Sequence, residues 1–178
     1  MLHLITIVGK SAKDFYLEQK CIPDFKSLIR AITSGREMIV STRFRSDLFY
    51  SAEKQKTSSI LKLWALYAKM SLSDLDENHL VLSSGDEKSL SRYFQSMNQL
   101  SASWYYYKRY RSAFRKTFSN DQQNLVARTV VQCDQYLVKN TNIDRVPIID
   151  FDEQIHPRLT TDTLSIAMHI INNDTLSN

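Results

Sequence analysis

Residues 104–116 contain both aromatic and basic side chains. Of all stretches of the chain, this one has the residue types best suited to binding a ligand. A helix turns by about 100° per residue, so side chains three, four or seven positions apart share one edge. Two adjoining groups result. The first is Lys108, Arg111 and Arg115, and the second is Tyr105, Arg109 and Lys116. Guanidinium and ammonium groups suit phosphates, and an exposed tyrosine offers a surface on which a base can stack.

The charge of the chain is concentrated rather than spread evenly. The net charge is +4, yet residues 90–118 carry six Lys or Arg and no Asp or Glu. Residues 1–70 carry twelve basic residues against six acidic ones, while 71–89 and 119–178 have an acidic excess. Like charges on neighbouring helical turns repel by about 0.2–0.5 kcal/mol per pair, so an uncompensated basic strip favours an acidic ligand.

These features favour a non-enzymatic nucleic-acid-binding protein that contacts RNA or DNA with low sequence specificity. Two arginines on one face of a separate predicted strand are candidate extensions of the same surface. The full predicted contact set is Arg43, Arg45, Tyr105, Lys108, Arg109, Arg111, Arg115 and Lys116.

The same stretch supports a second interpretation. Tyr106, Tyr107 and Tyr110 would then line the edge of the core, while the cations pair with an acidic loop around Asp74 and Asp76 or with the acidic C-terminal third. The helix would alternatively serve an intracellular protein-interaction or regulatory subunit that binds an acidic partner or self-associates. The predicted partner is therefore nucleic acid or an acidic protein, with homo-oligomers left open.

A third hypothesis places an enzyme at strand ends. Asp150 and Asp152 follow an apolar run, and alternating carboxylates in an extended chain, with His156 nearby, can share a divalent ion. If the predicted strands formed a parallel sheet, their ends at 9–11, 41–43, 83–86 and 150–152 would line one edge, the usual ligand crevice. No second cluster supports catalysis, so an enzyme is the less favoured class and no catalytic residue, metal or cofactor is assigned.

The sequence also bears on the cellular compartment. Cys21 and Cys133 lie far apart in a chain without a disulfide framework, which is typical of a reducing environment. The N-terminus lacks the basic region of a signal peptide, and the most apolar helix contains Lys62 and Lys69. We therefore expect a soluble cytoplasmic protein without a membrane segment.

Hydrophobic periodicity and turn residues predict the elements of the fold. Strands are expected at Leu2–Val8, 37–45, 79–82 and 146–151. Helices are expected at 12–20, from Asp24 to a stop at Gly35, at 47–70, at 125–137 and from about residue 161 onward. One helix close to thirty residues long is expected from Leu90 to Phe118.

The predicted fold is helix-dominated α/β or α+β, with long amphipathic helices packed on a small sheet of about three to four strands. Its low glycine and proline content favours long helices, and its length suits a single domain over residues 1–178. The predicted core residues are Ile5, Ile7, Val40, Phe44, Leu63, Trp64, Tyr67, Phe94, Met97, Trp104, Phe114, Val130 and Ile171.

Overall fold

The computed structural model describes residues 1–33, 36–150 and 161–175. They form two compact units, Met1–Gly85 and Asp86–Asn178. The fold is α+β with more helix than strand, which confirms the predicted class. The assignment of a single domain to residues 1–178 stays a prediction.

The first unit contains an antiparallel sheet and three α-helices. Its strands are β1 (Leu2–Val8), β2 (Glu37–Ser41), β3 (Arg45–Ser51) and β4 (Leu80–Ser84), in the spatial order β2-β3-β1-β4. Its helices are α1 (Gly9–Asp14), α2 (Ile22–Ile32) and α3 (Thr57–Ala68), with 3₁₀ turns at Gln19–Cys21, Leu72–Asp74 and Glu77–His79. The predicted stop at Gly35 lies outside the described residues. The strand pairings among the described residues are all antiparallel, so the parallel-sheet condition of the enzyme hypothesis is not met.

The core of this unit forms where apolar side chains of the sheet meet the helices. Ile5 and Leu48 are fully buried and face each other across β1 and β3, in one cluster with Phe25 and Trp64. The Trp64 indole donates its Nε1–H to the Phe15 carbonyl at 2.8 Å, so its one polar atom is satisfied. Burial of side chains this large stabilises the unit by about 1.5–3 kcal/mol each.

The chain reverses after β2, where the sequence predicted one strand over 37–45 and a helix from Asp47. Both predictions are wrong there. Thr42 accepts a hydrogen bond from the Arg45 amide on its Oγ1 at 3.1 Å and donates the Oγ1 proton to the Arg45 carbonyl at 2.6 Å. These bonds close a tight turn that contains no glycine, proline or asparagine, so the turn had no compositional signal.

The second unit is helical. Its helices are α4 (Asp86–Ser101), α5 (Trp104–Asn120), α6 (Leu125–Asn140) and α7 (Thr161–Thr175). The prediction of a single long helix from Leu90 to Phe118 is therefore wrong, because α4 ends at Ser101 and α5 begins at Trp104. At the end of α4 the amides of Ala102 and Ser103 bond to the carbonyls three residues back, at 3.2 and 3.1 Å, which tightens the last turn and ends the helix.

Eight of the predicted core residues are confirmed as buried. They are Ile5, Ile7, Val40, Trp64, Phe94, Met97, Phe114 and Val130. Phe44, Leu63, Tyr67 and Ile171 are partly buried. Trp104 is wrong, since 55% of its surface is exposed at the start of α5, beyond the helix break.

Residues 141–150 follow α6, form neither helix nor strand and are here called the extended segment. A buried ion pair holds this segment in place. The Arg145 guanidinium lies 2.7 Å from the Asp134 carboxylate, donates to the Asn98 side-chain oxygen at 2.7 Å and donates to the Tyr107 hydroxyl at 3.0 Å. Asp134 accepts a further bond from the Ile148 amide at 2.6 Å. The segment forms no strand over residues 146–150, which corrects the prediction there, and Phe151 lies outside the described residues.

Neither cysteine takes part in a disulfide. Cys21 is partly exposed and Cys133 is buried in α6. Burial, reinforced by the charge of Asp134, raises the pKa of the Cys133 thiol to about 12. The thiol is therefore protonated at neutral pH and packs as a small apolar side chain.

The described part of the chain contains no helix with both the length and the apolar character that a bilayer crossing requires. The cytoplasmic compartment stays a prediction.

Replacement of Arg145 by Met should destabilise the protein by about 3–5 kcal/mol, because the Asp134 carboxylate would remain buried without its cation. Urea denaturation followed by circular dichroism measures the change. The double variant Arg145→Met with Asp134→Leu removes both charges and should recover a large part of the loss. If Arg145→Met alone lowers the free energy of unfolding by less than about 1 kcal/mol, the proposed role of this pair is contradicted.

Candidate nucleic-acid interface

Helix α5 has two chemically different sides. It carries five Lys or Arg and no acidic residue. Its inner side buries Tyr107, Tyr110, Phe114 and Phe118. The Tyr110 hydroxyl is 3.1 Å from that of Tyr93 on α4, which pairs these buried polar atoms. Because these aromatic side chains fix the rotation of the helix, its basic side is directed outward.

Three cations on the outer side are open to solvent. They are Lys108, Arg109 and Lys116. Within the part of the chain that the structure describes, none of the three has a carboxylate within 4.0 Å. Lys108 and Lys116 are two helical turns apart, so they span about 12 Å along the axis. This row is the open-cation row, and it matches three members of the predicted contact set.

Exposed aromatic rings lie at the N-terminal end of the open-cation row. Trp104, Tyr105 and Tyr106 are 55%, 62% and 45% exposed. The Tyr105 and Tyr106 rings meet edge to face with centroids 5.3 Å apart. Arg109 lies 5.4 Å from the centroid of the Tyr105 ring and donates to its hydroxyl at 2.9 Å. The Arg109 cation and the Tyr105 ring, which are four residues apart in α5, are thus held in contact with each other.

The sequence predicts Tyr105 as a member of this surface, but it places Trp104 in the core. The apolar spacing of residues 90–118 fits an unbroken helix, and Trp104 falls on the inner stripe of that helix. A serine-rich stretch at 101–103 was the available signal for a helix boundary.

The remaining two cations of α5 are paired within the protein. Arg111 donates its Nε–H to the Pro147 carbonyl at 2.8 Å, and its Nη2 pairs with Asp150. Arg115 donates from Nη2 to the second Asp150 oxygen at 2.9 Å. Arg111 and Arg115 are therefore engaged by other parts of the protein and are not open cations, which corrects that part of the contact set. The interpretation of internal pairing with the C-terminal third is right for these two residues.

Asp150 has a different role from the one predicted. It is a counter-ion of two arginines and does not follow a strand, so the strand-end placement in the enzyme hypothesis is wrong for this residue. Asp152 and His156 lie outside the described residues. Among the residues that the structure does describe, no group of three or more His, Cys, Asp or Glu side chains is arranged to hold a metal ion.

The two arginines of the predicted extension belong to the first unit and have different surroundings. Arg45 is only 5% exposed and donates to both oxygens of Asp47, at 2.6 and 2.8 Å. Thr6 also donates to this carboxylate, at 2.5 Å. A buried, bidentate guanidinium offers nothing to a ligand, so Arg45 is removed from the contact set. Arg43 is exposed in the turn, with its guanidinium 5.4 Å from the Tyr16 ring centroid.

No family model matches this sequence, and no curated protein matches it significantly. Function is therefore inferred from the geometry of α5 and its surroundings.

Tyr107, on the inner side of α5, generates a prediction about alkaline stability. Its hydroxyl donates to the Val146 carbonyl at 2.6 Å, and burial raises its pKa from 10.0 to about 12, although the Arg145 charge opposes the shift. A raised pKa means that the stabilising contribution is complete below pH 10.0 and is lost as the pH rises toward about 12.

Tyr107→Phe should therefore lower the free energy of unfolding by about 1–2 kcal/mol at neutral pH. The advantage of the wild type should shrink between pH 10.0 and about 12. Urea denaturation across this range measures it, with the exposed Tyr106→Phe as control. Parallel stability curves for wild type and Tyr107→Phe would contradict the assignment.

Proposed function

We propose that the protein is a non-enzymatic binder of single-stranded nucleic acid with low sequence specificity, and that the outer side of α5 is its contact surface. The observation that carries this proposal is the open-cation row beside exposed rings. Lys108, Arg109 and Lys116 are solvent-exposed cations on a helix without acidic residues. Trp104 and Tyr105 lie at the end of the same row.

The charge of this surface supports contact with a polyanion. Each Lys or Arg that neutralises a phosphate releases condensed counterions, so affinity falls as salt rises. Three open cations correspond to a slope of about −2 in a plot of log affinity against log salt for single strands. Three contacts give weak binding, in the range of about 10⁻⁴–10⁻⁶ M that is typical of non-specific complexes at physiological salt.

The exposed rings support single strands over duplexes. Bases in a duplex are stacked on one another and cannot stack on a protein side chain, while unpaired bases can. Stacking on an aromatic residue contributes about 1–3 kcal/mol per base and depends little on base identity. Trp104 and Tyr105 would receive bases while the cations farther along α5 contact the backbone. This division of tasks explains low sequence specificity.

The N-terminus of α5 adds to the positive potential at the rings. Ser103 precedes the helix and makes no capping bond with its side chain, and the first turn contains no acidic residue. The amides of that turn carry the positive end of the helix dipole, which favours an anion. A phosphate beside Trp104 would therefore meet two sources of positive charge, this helix end and the open-cation row.

A second candidate function uses the same surface for protein contacts. Trp, Tyr and Arg dominate the energetic centres of protein interfaces, and Trp104, Tyr105 and Arg109 form such a group. The chain would then be an interaction or regulatory subunit that self-associates or binds an acidic partner. Light scattering after gel filtration tests self-association. Under this second function, Trp104→Ala should reduce the oligomer, and the wild type should bind no oligonucleotide.

Loss of the open cations should abolish binding of single strands. Fluorescence anisotropy with labelled fifteen-residue oligo-dT and oligo-U probes, from low to moderate salt, should give a slope of about −2 for the wild type. The triple variant Lys108→Gln, Arg109→Gln, Lys116→Gln should bind at least about tenfold more weakly at low salt.

A matched triple variant in the first unit provides the control. Lys54, Lys56 and Lys62 are exposed, and their replacement by Gln changes the net charge equally. This control should bind much as the wild type does. Equal losses in both triple variants, or no binding by the wild type at low salt, would refute the α5 surface.

Removal of the rings should weaken binding. Trp104→Ala should cost about 1–3 kcal/mol of binding free energy at an unchanged salt slope, because a base loses its stacking partner while the phosphate contacts stay. Tyr105→Ala should cost at least as much, because it also removes the ring and hydroxyl that hold Arg109. The control is Leu125→Ala, which removes a 52% exposed side chain from α6. An unchanged affinity in both aromatic variants would leave charge alone as the basis of binding.

A further inference from the structure

Asp150 lies between two guanidinium groups of α5. One of its oxygens is paired with Nη2 of Arg111, and the other accepts a bond from Nη2 of Arg115 at 2.9 Å. A carboxylate that engages one arginine through each oxygen occupies the place that two oxygens of a phosphate would take. The two arginines thus form a fork, here called the Arg111–Arg115 fork, with an anion already seated in it.

Half of the fork is held in place independently of Asp150. Arg111 donates its Nε–H to the Pro147 carbonyl at 2.8 Å and to the Ile148 carbonyl at 3.3 Å. Its side chain is 13% exposed. These backbone acceptors orient the guanidinium with Nη2 toward the carboxylate. A donor that is fixed in advance costs little entropy when it receives an anion.

The other half is accessible from solvent. The side chains of Arg115 and Asp150 are 43% and 48% exposed. An ion pair at such a surface contributes about 0–1 kcal/mol, since water screens it. A phosphate group can therefore compete with Asp150 for the fork without opening the interior of the protein.

The fork lies on the same edge of α5 as Lys108, one member of the open-cation row, whereas Arg109 and Lys116 lie about 100° or more from it around the helix. Arg115 is seven residues beyond Lys108, which places the two side chains about 20° apart around α5 and about 10 Å apart along its axis. A backbone that contacts Lys108 therefore passes the fork on the same side of the helix. The fork is in position to receive a further phosphate of the same strand.

We propose that the Arg111–Arg115 fork is a second phosphate subsite of this interface and that the Asp150 carboxylate occupies it when no ligand is bound. This inference rests on the proposed function, since the ligand is the backbone phosphate of a single strand. Asp150 acts as an internal competitor that weakens binding. Its removal takes away the carboxylate that the Nη2 groups of both arginines contact.

The variant Asp150→Asn tests the subsite, with Asp144→Asn as a matched control. Both substitutions remove one negative charge from the second unit, and Asp144 is an exposed carboxylate without a salt bridge among the described residues. With labelled oligo-dT at low salt, Asp150→Asn should bind about three- to tenfold more tightly than wild type. Its salt slope should steepen by about 0.7–1.4, while Asp144→Asn should change affinity less than about twofold.

A second variant shows whether a gain comes from the fork. Arg115→Gln alone should weaken wild-type binding only about two- to threefold, because the phosphate that reaches Arg115 must first displace Asp150 and gains only part of the pairing energy. The double variant Asp150→Asn with Arg115→Gln should lose most of the gain. Thermal melting of each variant verifies that the fold is retained. None of the variants replaces Arg111, so its bonds to the Pro147 and Ile148 carbonyls are kept.

The outcomes separate the subsite from the proposed function. If wild type binds and Asp150→Asn behaves like Asp144→Asn, the subsite is overturned and the proposed function stands. If Asp150→Asn keeps its gain when Arg115 is replaced, the subsite is also overturned. If none of the variants binds oligo-dT or oligo-U at low salt, both proposals are overturned.

Discussion

The second unit depends on the buried contact between Asp134 and Arg145. Removing two charges from water is costly, and the pair offsets that cost because each partner has further hydrogen bonds. Asp134 accepts from the backbone of the extended segment, while Arg145 donates toward α4 and α5. One ion pair thereby connects three helices to an irregular segment that has no sheet to support it. The position of Asp150 beside α5 follows from this arrangement.

Helix α5 divides its side chains between two tasks. Its buried tyrosines and phenylalanines set its rotation, and this rotation decides which cations reach solvent. Arg111 and Arg115 then pair with a carboxylate that follows α6, and Arg111 also donates to backbone carbonyls there, while Lys108, Arg109 and Lys116 have no carboxylate partner among the described residues. A periodic stripe of aromatic residues is therefore as important for the candidate surface as the charges themselves. The functional proposal is built on this separation.

The sequence predicted the first strand, the helical character and most of the core, because these depend on local hydrophobic periodicity. It failed where local hydrogen bonds ended an element without a glycine or proline, as at Thr42 and after Ser101. It predicted the basic character of α5 but not which of its five cations are open to solvent. It did not predict the partner of Arg111, because Asp150 is distant in sequence and approaches only through the tertiary fold. Pairing of this kind leaves no periodic signal in one sequence.

The contact between Tyr105 and Arg109 has a consequence for the energetics of the surface. The ring and the cation touch each other, so each helps to set the orientation of the other. Under the proposed function, their contributions to strand binding are thermodynamically coupled, and free energies measured for the two residues singly would not sum to the value for both. Recognition of base and of phosphate at this end of α5 would then be one cooperative event.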